Sequence, residues 1–279
     1  MKRLLRAGLS RSFQSTLLRL CLLIATATVL FAGGIIINTA QKAYVESPAF
    51  VEDVLVIAPS VVPFLSAAFI ALLLGAEYEQ STIRNKLTVG HMRLGIYLSA
   101  LVVCAMTTLA ILAVTLLGGG LLGAAALGDW LLEPGKLMLV VAVCTMACIA
   151  LSTLFAAVAL NLPNRAIAVT VLLVLLWALF VASAYLDSAL CASEFSYEYV
   201  VFTSEGPQYG PLVPNPEYIS GTKRAVYELL RDLLPTSQLA SLSNSEFELC
   251  TPLWLVSSLP VTLLSAVAGY LGFRRRDIK

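Results

Sequence analysis

The chain has 279 residues, of which 59% are hydrophobic and 13% charged, and its net charge is +1. This is more apolar surface than a soluble core of that size can enclose, so the sequence belongs in a bilayer. No basic tract is long enough to neutralise a run of phosphates, which excludes nucleic acid as a partner.

Met1–Arg19 sets Lys2, Arg3, Arg6, Arg11 and Arg19 among Leu4, Leu5, Leu9, Phe13, Leu17 and Leu18, the pattern of an amphipathic helix lying on a membrane surface. Leu20–Ile37 follows without a charge and is long enough to cross about 30 Å of hydrocarbon. A cleaved signal peptide starts similarly, but this run exceeds the usual apolar core of one and no small-x-small site follows it.

Asn38–Val56 is polar and mildly acidic, with Glu46, Glu52 and Asp53 against Lys42. Ile57–Ala76 makes a second span, whose start Pro59 and Pro63 are expected to kink or loosen. Ile96–Leu117 is a third, leaving the membrane through the glycine-rich Gly118–Gly123 to a turn marked by Asp129, Trp130, Glu133 and Pro134. Leu137–Leu160 and Ala166–Leu186, separated only by Asn161–Arg165, are expected to form a tight antiparallel pair. Leu253–Phe273 is the sixth span, and Arg274, Arg275, Arg276 and Lys279 close the chain.

The predicted fold is therefore all-α: six transmembrane helices, an N-terminal amphipathic helix, and a helical and loop insert over 187–252 between helices five and six. Within that insert Val226, Leu229, Leu230, Leu233 and Leu234 fall on one helical face, opposite Lys223, Arg224, Glu228, Arg231 and Asp232, and Pro235 ends the pattern. Gly206, Pro207, Gly210, Pro211, Pro214 and Pro216 predict a turn-rich loop and argue against a strand-based domain.

With the N-terminus inside, thirteen of the eighteen Lys and Arg residues fall on inner segments, as the positive-inside rule requires. Both termini are then cytoplasmic and the insert is extracellular, in a multi-pass protein of the cell membrane surrounded by lipid.

Cys21, Cys104, Cys144 and Cys148 lie in apolar runs, where a thiol packs as a small hydrophobe. Cys191 and Cys250 stand at the two edges of the insert, where a disulfide could staple it in an oxidising compartment. No metal site is expected, because the one histidine, His91, completes no ligand set.

None of the six spans contains Asp, Glu, Lys, Arg or His, which argues against a carrier coupled to protons or sodium and against a charged-ring pore. The chain also lacks a phosphate-cradling Gly-x-x-x-x-Gly-Lys-Ser/Thr loop and any intramembrane catalytic set. It reads as a non-enzyme, and energy for uphill transport must come from another subunit.

The one polar, cation-bearing stretch between two long spans is Glu77–Arg93. Thr82 can cap a short helix, Ile83 and Leu87 share one face of it, Arg84 and Lys86 point elsewhere, and Gly90 can end it. An ordinary basic inside loop is the plainer reading of the same residues. Glu77-Tyr78, Ser81-Thr82-Ile83-Arg84-Asn85-Lys86-Leu87 and Gly90-His91-Met92-Arg93 together resemble the pattern after the second span of bacterial ABC-2 type transporter permeases. Leu234-Pro235-Thr236-Ser237-Gln238 resembles that family more weakly.

The resemblance implies a permease that pairs with a second copy or paralogue and with separate ABC ATPase subunits, which hold the ATP and Mg; this chain binds no cofactor. It implies that Thr82, Ile83, Arg84, Asn85, Lys86 and Leu87 form the coupling helix, with Ile83 and Leu87 buried against the ATPase and Arg84 and Lys86 at the rim. It further implies that Glu77 pairs with Arg6 or Arg11 of the surface helix, although a carboxylate snorkelling at the membrane edge reads equally well. Asn161–Arg165 is a lesser second contact.

Aromatic residues of the spans, among them Phe64, Phe69, Trp177 and Phe180, are candidate cavity lining, although packing accounts for most such residues. A hydrophobic or amphipathic cargo, such as a drug, an antimicrobial peptide or a lipid-like compound, fits them better than a sugar or an ion. The other reading is a non-transporting scaffold or immunity protein whose extracellular loop captures a partner.

Overall fold

The computed structural model describes residues 2–42, 49–197, 199–203 and 206–275. Arg276, Lys279 and Glu46, which entered the charge count and the first loop above, lie outside them.

Among the described residues six helices are long and apolar enough to cross a membrane. They are α2 (Thr16–Lys42), α4 (Ile57–Glu79), α6 (Arg93–Ala126), α7 (Pro134–Ala159), α8 (Arg165–Cys191) and α11 (Leu253–Arg275), and the chain is an all-α polytopic membrane protein. Their uninterrupted apolar runs favour helix because in hydrocarbon only intrahelical bonds satisfy every backbone amide. Short helices join them: α1 (Lys2–Gln14), α3 (Val51–Leu55), α5 (Thr82–Thr88), α9 (Gly221–Leu233) and α10 (Pro235–Ser243).

The most enclosed span is α4, which packs against α2, α6, α7 and α8, whereas α2, α8 and α11 leave most of their surface outward. Phe69, Ile70, Tyr97, Ile111, Leu151 and Phe155 form the centre of the core. Cys21, Cys104, Cys144 and Cys148 are buried in it.

The structure corrects three expectations. α7 and α8 are not chiefly each other's partners: α7 packs mainly on α11 and α8 on α4. Their short corner is instead wedged against α4, where a side chain on Gly75 would meet the Arg165 backbone at 2.7 Å.

The glycine-rich run does not end the third span. α6 continues to Ala126, 34 residues in all, about 51 Å of helix and well beyond one bilayer core. The glycines admit α3: a Cβ on Gly119 would sit 3.3 Å from the Val54 carbonyl oxygen, and one on Gly123 2.9 Å from Val51 Cγ1. This is the close approach that small residues four apart permit between membrane helices. α4 continues through Pro63, and its start is set off from α3 at Val56, three residues before Pro59.

The insert contains strands after all. β1 (Phe195–Tyr197) pairs antiparallel with β4 (Leu212–Pro214), and β2 (Val200–Thr203) with β3 (Gly206–Tyr209). The prolines occupy ladder positions, Pro214 opposite Phe195 and Pro207 opposite Phe202, in two-stranded ribbons where every strand is an edge and a missing N–H is tolerated.

Candidate functional site

At one end of the bundle the N-terminal helix, the α4–α6 connection, the α7–α8 corner and the end of α11 come together. α4 stops at Gln80, and the chain reverses at Ser81, whose φ of 51° is left-handed. α5 follows at once. Its N-cap is Ser81 rather than Thr82, and no side chain caps it. Its far end is closed by Gly90 at φ 93°: the Gly90 N–H donates to the Leu87 carbonyl at 2.9 Å and the His91 N–H to the Lys86 carbonyl at 3.2 Å. That pair of bonds is a Schellman closure, in which glycine avoids the strain a Cβ would carry.

The amphipathicity of α5 faces inward. Ile83 is 1% exposed, and it joins the bundle's own core with Leu87 packed beside it. Lys86 also turns in, its Nζ 2.9 and 3.0 Å from the two carboxylate oxygens of Glu77 near the end of α4. Ile83, Leu87 and Lys86 therefore seat the helix rather than project from it. This corrects the expected roles of Ile83 and Leu87 as partner contacts and of Lys86 as a rim charge.

Glu77 is likewise paired with Lys86 and not with Arg6 or Arg11. Arg11 donates instead to Gln80 Oε1 at 2.5 Å, tying α1 to the same turn. Arg6 enters none of these contacts.

The residues left outward are Arg84, Asn85, Thr88, Val89 and Met92. Val89 is 77% exposed and Met92 83%, the two most exposed large apolar residues of the described chain. Sequence periodicity marks α5 as two-faced but does not say which face the bundle itself claims, so Val89 and Met92, just past the helix, escape notice.

Around this knob the end is fixed. Arg93 Nη1 donates to the Arg274 carbonyl at 2.7 Å, and Tyr97 Oη to the Ala266 carbonyl at 2.9 Å, linking the start of α6 to α11. Asn161 Nδ2 donates to the Gly269 carbonyl at 3.0 Å, and the Tyr78 hydroxyl to the Leu160 carbonyl. Asn161 is thus a structural corner, leaving Pro163 and Asn164 exposed between α7 and α8.

At the opposite end, α10 is driven into the bundle, with Thr236, Ser237, Gln238, Leu239 and Leu242 buried. Gln238 Nε2 donates to the Asp232 carbonyl at 2.8 Å and to Ser257 Oγ at 2.9 Å, while its Oε1 accepts from Ser258 Oγ at 2.9 Å. Trp254 Nε1 donates to Asp232 Oδ1 at 3.0 Å, and Thr236 and Ser183 share a hydroxyl hydrogen bond of 2.8 Å. This network holds α9 and α10 to α8 and α11.

Cys191 and Cys250, the candidate disulfide, are both free thiols in the structure. Cys191 is exposed at the end of α8, whereas Cys250 is enclosed beside Lys136, whose Nζ caps its carbonyl at 2.8 Å. Burial pushes the Cys250 thiol above its usual range, with Lys136 acting the other way.

The four candidate lining aromatics do not share a cavity. Phe69 is wholly buried in the core, Trp177 is 66% exposed on the outer face of α8, and Phe64 stacks on Phe180 with ring centroids 5.6 Å apart. Among the described residues no group of three or more His, Cys, Asp or Glu side chains could hold a metal ion.

A scan against protein-family models gives no match for the chain, and a search of curated proteins gives none either.

Proposed function

We propose that the chain is the membrane-spanning permease subunit of an ATP-driven ABC transporter of the ABC-2 type, and that a separate ATPase docks on α5 and the Val89–Met92 turn. The reading rests on the seating of α5. A seven-residue helix is fastened to the bundle by Ile83 and by the Glu77–Lys86 pair, while it holds Arg84, Val89 and Met92 outward.

A knob fixed on its inner side, with Val89 and Met92 exposed on its outer side, can transmit displacement in both directions. Motion of a partner gripping Val89 and Met92 passes through Ile83 into the core, and through Lys86 and Glu77 into α4, the most enclosed span. The spans carry no ionisable residue at mid-depth to couple transport to an ion gradient, and the chain has no phosphate-binding loop of its own. Both features fit a subunit that receives work from outside. The aliphatic character of the spans fits export of a hydrophobic or amphipathic compound, with the α5 end cytoplasmic in the cell membrane.

The test is purification of the tagged chain from its native membrane, with ATP hydrolysis as the readout. An ATPase is expected to accompany the wild-type chain and to be lost with Arg84→Glu combined with Met92→Glu, which alter only outward residues. Retention of the ATPase by that variant counts against docking on α5; its absence from the wild-type preparation counts against the transporter reading.

A further inference from the structure

Between α6 and α7, in the half of the bundle nearest the insert, lies a groove of about 680 Å³. Leu109, Leu116 and Gly120 of α6 and Leu137 and Val141 of α7 line it, with Leu55 of α3 and Trp130 of the connecting loop at its end. Thr145 in its wall donates its hydroxyl proton to the Val141 carbonyl at 2.7 Å, so the groove has no hydroxyl donor to offer a ligand there. Leu117 and Leu121, 67% and 73% exposed, set its open side toward the surrounding membrane.

The site is built rather than incidental. α3 is seated on Gly119 and Gly123, which fixes Leu55. Glu52, 1% exposed, accepts the Leu131 N–H at 3.2 Å and the Leu132 N–H at 2.8 Å, and the Val51 N–H donates to the Asp129 carbonyl at 3.1 Å. These bonds hold the loop that carries Trp130. Such preorganisation lowers the ordering cost of binding.

From Leu109 to Ala124 the groove follows α6 for about 22 Å at 1.5 Å per residue, the reach of a long fatty acyl chain. Its volume falls in the range of ligand sites, and its lining accommodates nothing charged. At the end is Trp130, a residue type enriched at the headgroup level of bilayers, in the loop between α6 and α7. Exposed Asp129 and Glu133 flank it, and their negative charge suits an ammonium headgroup and opposes an anionic one.

We propose that this groove is a binding site for one acyl chain of a phospholipid with an ammonium-bearing headgroup, the chain lying along α6 and the headgroup beside Trp130. The proposal rests on the helices being embedded in a bilayer and not on transport. It differs from ordinary boundary lipid, which would meet the outward faces of α2, α8 and α11 equally.

The experiment uses the full chain in nanodiscs containing a phosphatidylethanolamine with a diazirine in its acyl chain, followed by mass-spectrometric mapping of the labelled residues. Labelling is expected to concentrate on Leu109–Ala124 and Leu137–Thr145. Ala113→Trp fills the groove from an exposed position, and Gly120→Leu does so where a Cβ meets Leu55 at an ordinary 3.8 Å. Because either variant occupies the space the acyl chain would fill, groove labelling should be lost in it while labelling of α11 is unchanged. If Gly120→Leu does not fold, Ala113→Trp makes the comparison alone.

Labelling spread evenly over α2, α8 and α11, or insensitive to Ala113→Trp, overturns the proposal. So does oxidative cross-linking of two copies through Leu117→Cys in a Cys191→Ser background, which would place a second copy of the chain in the groove.

Discussion

The Lys86 ammonium reaches both carboxylate oxygens of Glu77, at 2.9 and 3.0 Å, and so joins α5 to the last turns of α4. The two side chains are 23% and 12% exposed, shielded enough for the pair to outweigh an ordinary surface contact. A double-mutant cycle of Glu77→Gln and Lys86→Met, followed by unfolding in detergent, should give a coupling of about 1 kcal/mol. A coupling indistinguishable from zero would show that the pair does not fasten the knob.

Ile83 and Arg84 are neighbours with opposite consequences. Truncating the buried side chain in Ile83→Ala leaves a cavity in the bundle and should cost about 2–4 kcal/mol of stability. Arg84→Ala touches only the outward face and should change stability by less than about 0.5 kcal/mol. Equal, small effects at both positions would mean that Ile83 is not part of the core.

The seat of α3 gives a steric test. Gly123→Ala places a methyl group 2.9 Å from Val51 Cγ1 and 3.2 Å from the Val51 carbonyl oxygen, so α3 must shift. Overpacking of this kind should cost about 1–3 kcal/mol and make the Val51–Leu55 segment more susceptible to proteolysis. Gly90→Ala, by contrast, meets no neighbour but strains a φ of 93°, and its cost should be about 1 kcal/mol, confined to the α5 turn.

These cases show what was legible in the sequence. The six spans were, because uninterrupted apolar runs of Leu, Val, Ala and Ile have no other way to satisfy their backbone in hydrocarbon. The short buried pieces were not. α3 carries Glu52 and Asp53 and reads as a polar loop, yet Glu52 is buried because two backbone amides satisfy its carboxylate. α10 is rich in hydroxyls and amide, yet Gln238 and Thr236 are buried because each finds partners on a neighbouring helix. Gly119 and Gly123 look like the end of a helix and serve as a packing surface within one. At the candidate site the residues stood out, but their direction did not: a two-faced helix of seven residues has an apolar side whether it meets its own bundle or a partner.

The free thiols give a chemical check. In the native state a maleimide should label Cys191 readily and leave Cys250 unmodified, since Cys250 is enclosed and its thiol is pushed toward the protonated form. After unfolding without reductant, all six cysteines should be labelled. A mass two labels short, with Cys191 and Cys250 recovered in one cross-linked peptide, would restore the staple.

The most direct test of the docking of an ATPase on α5 is a photo-reactive amino acid placed at Met92 in the membrane-embedded chain, with the same probe at the exposed Trp177 of α8 for comparison. The account predicts that the Met92 probe cross-links to an ATP-hydrolysing subunit and that the Trp177 probe reaches only lipid or another copy of the chain. A Met92 probe that captures lipid alone, in membranes where the chain is functional, would contradict it.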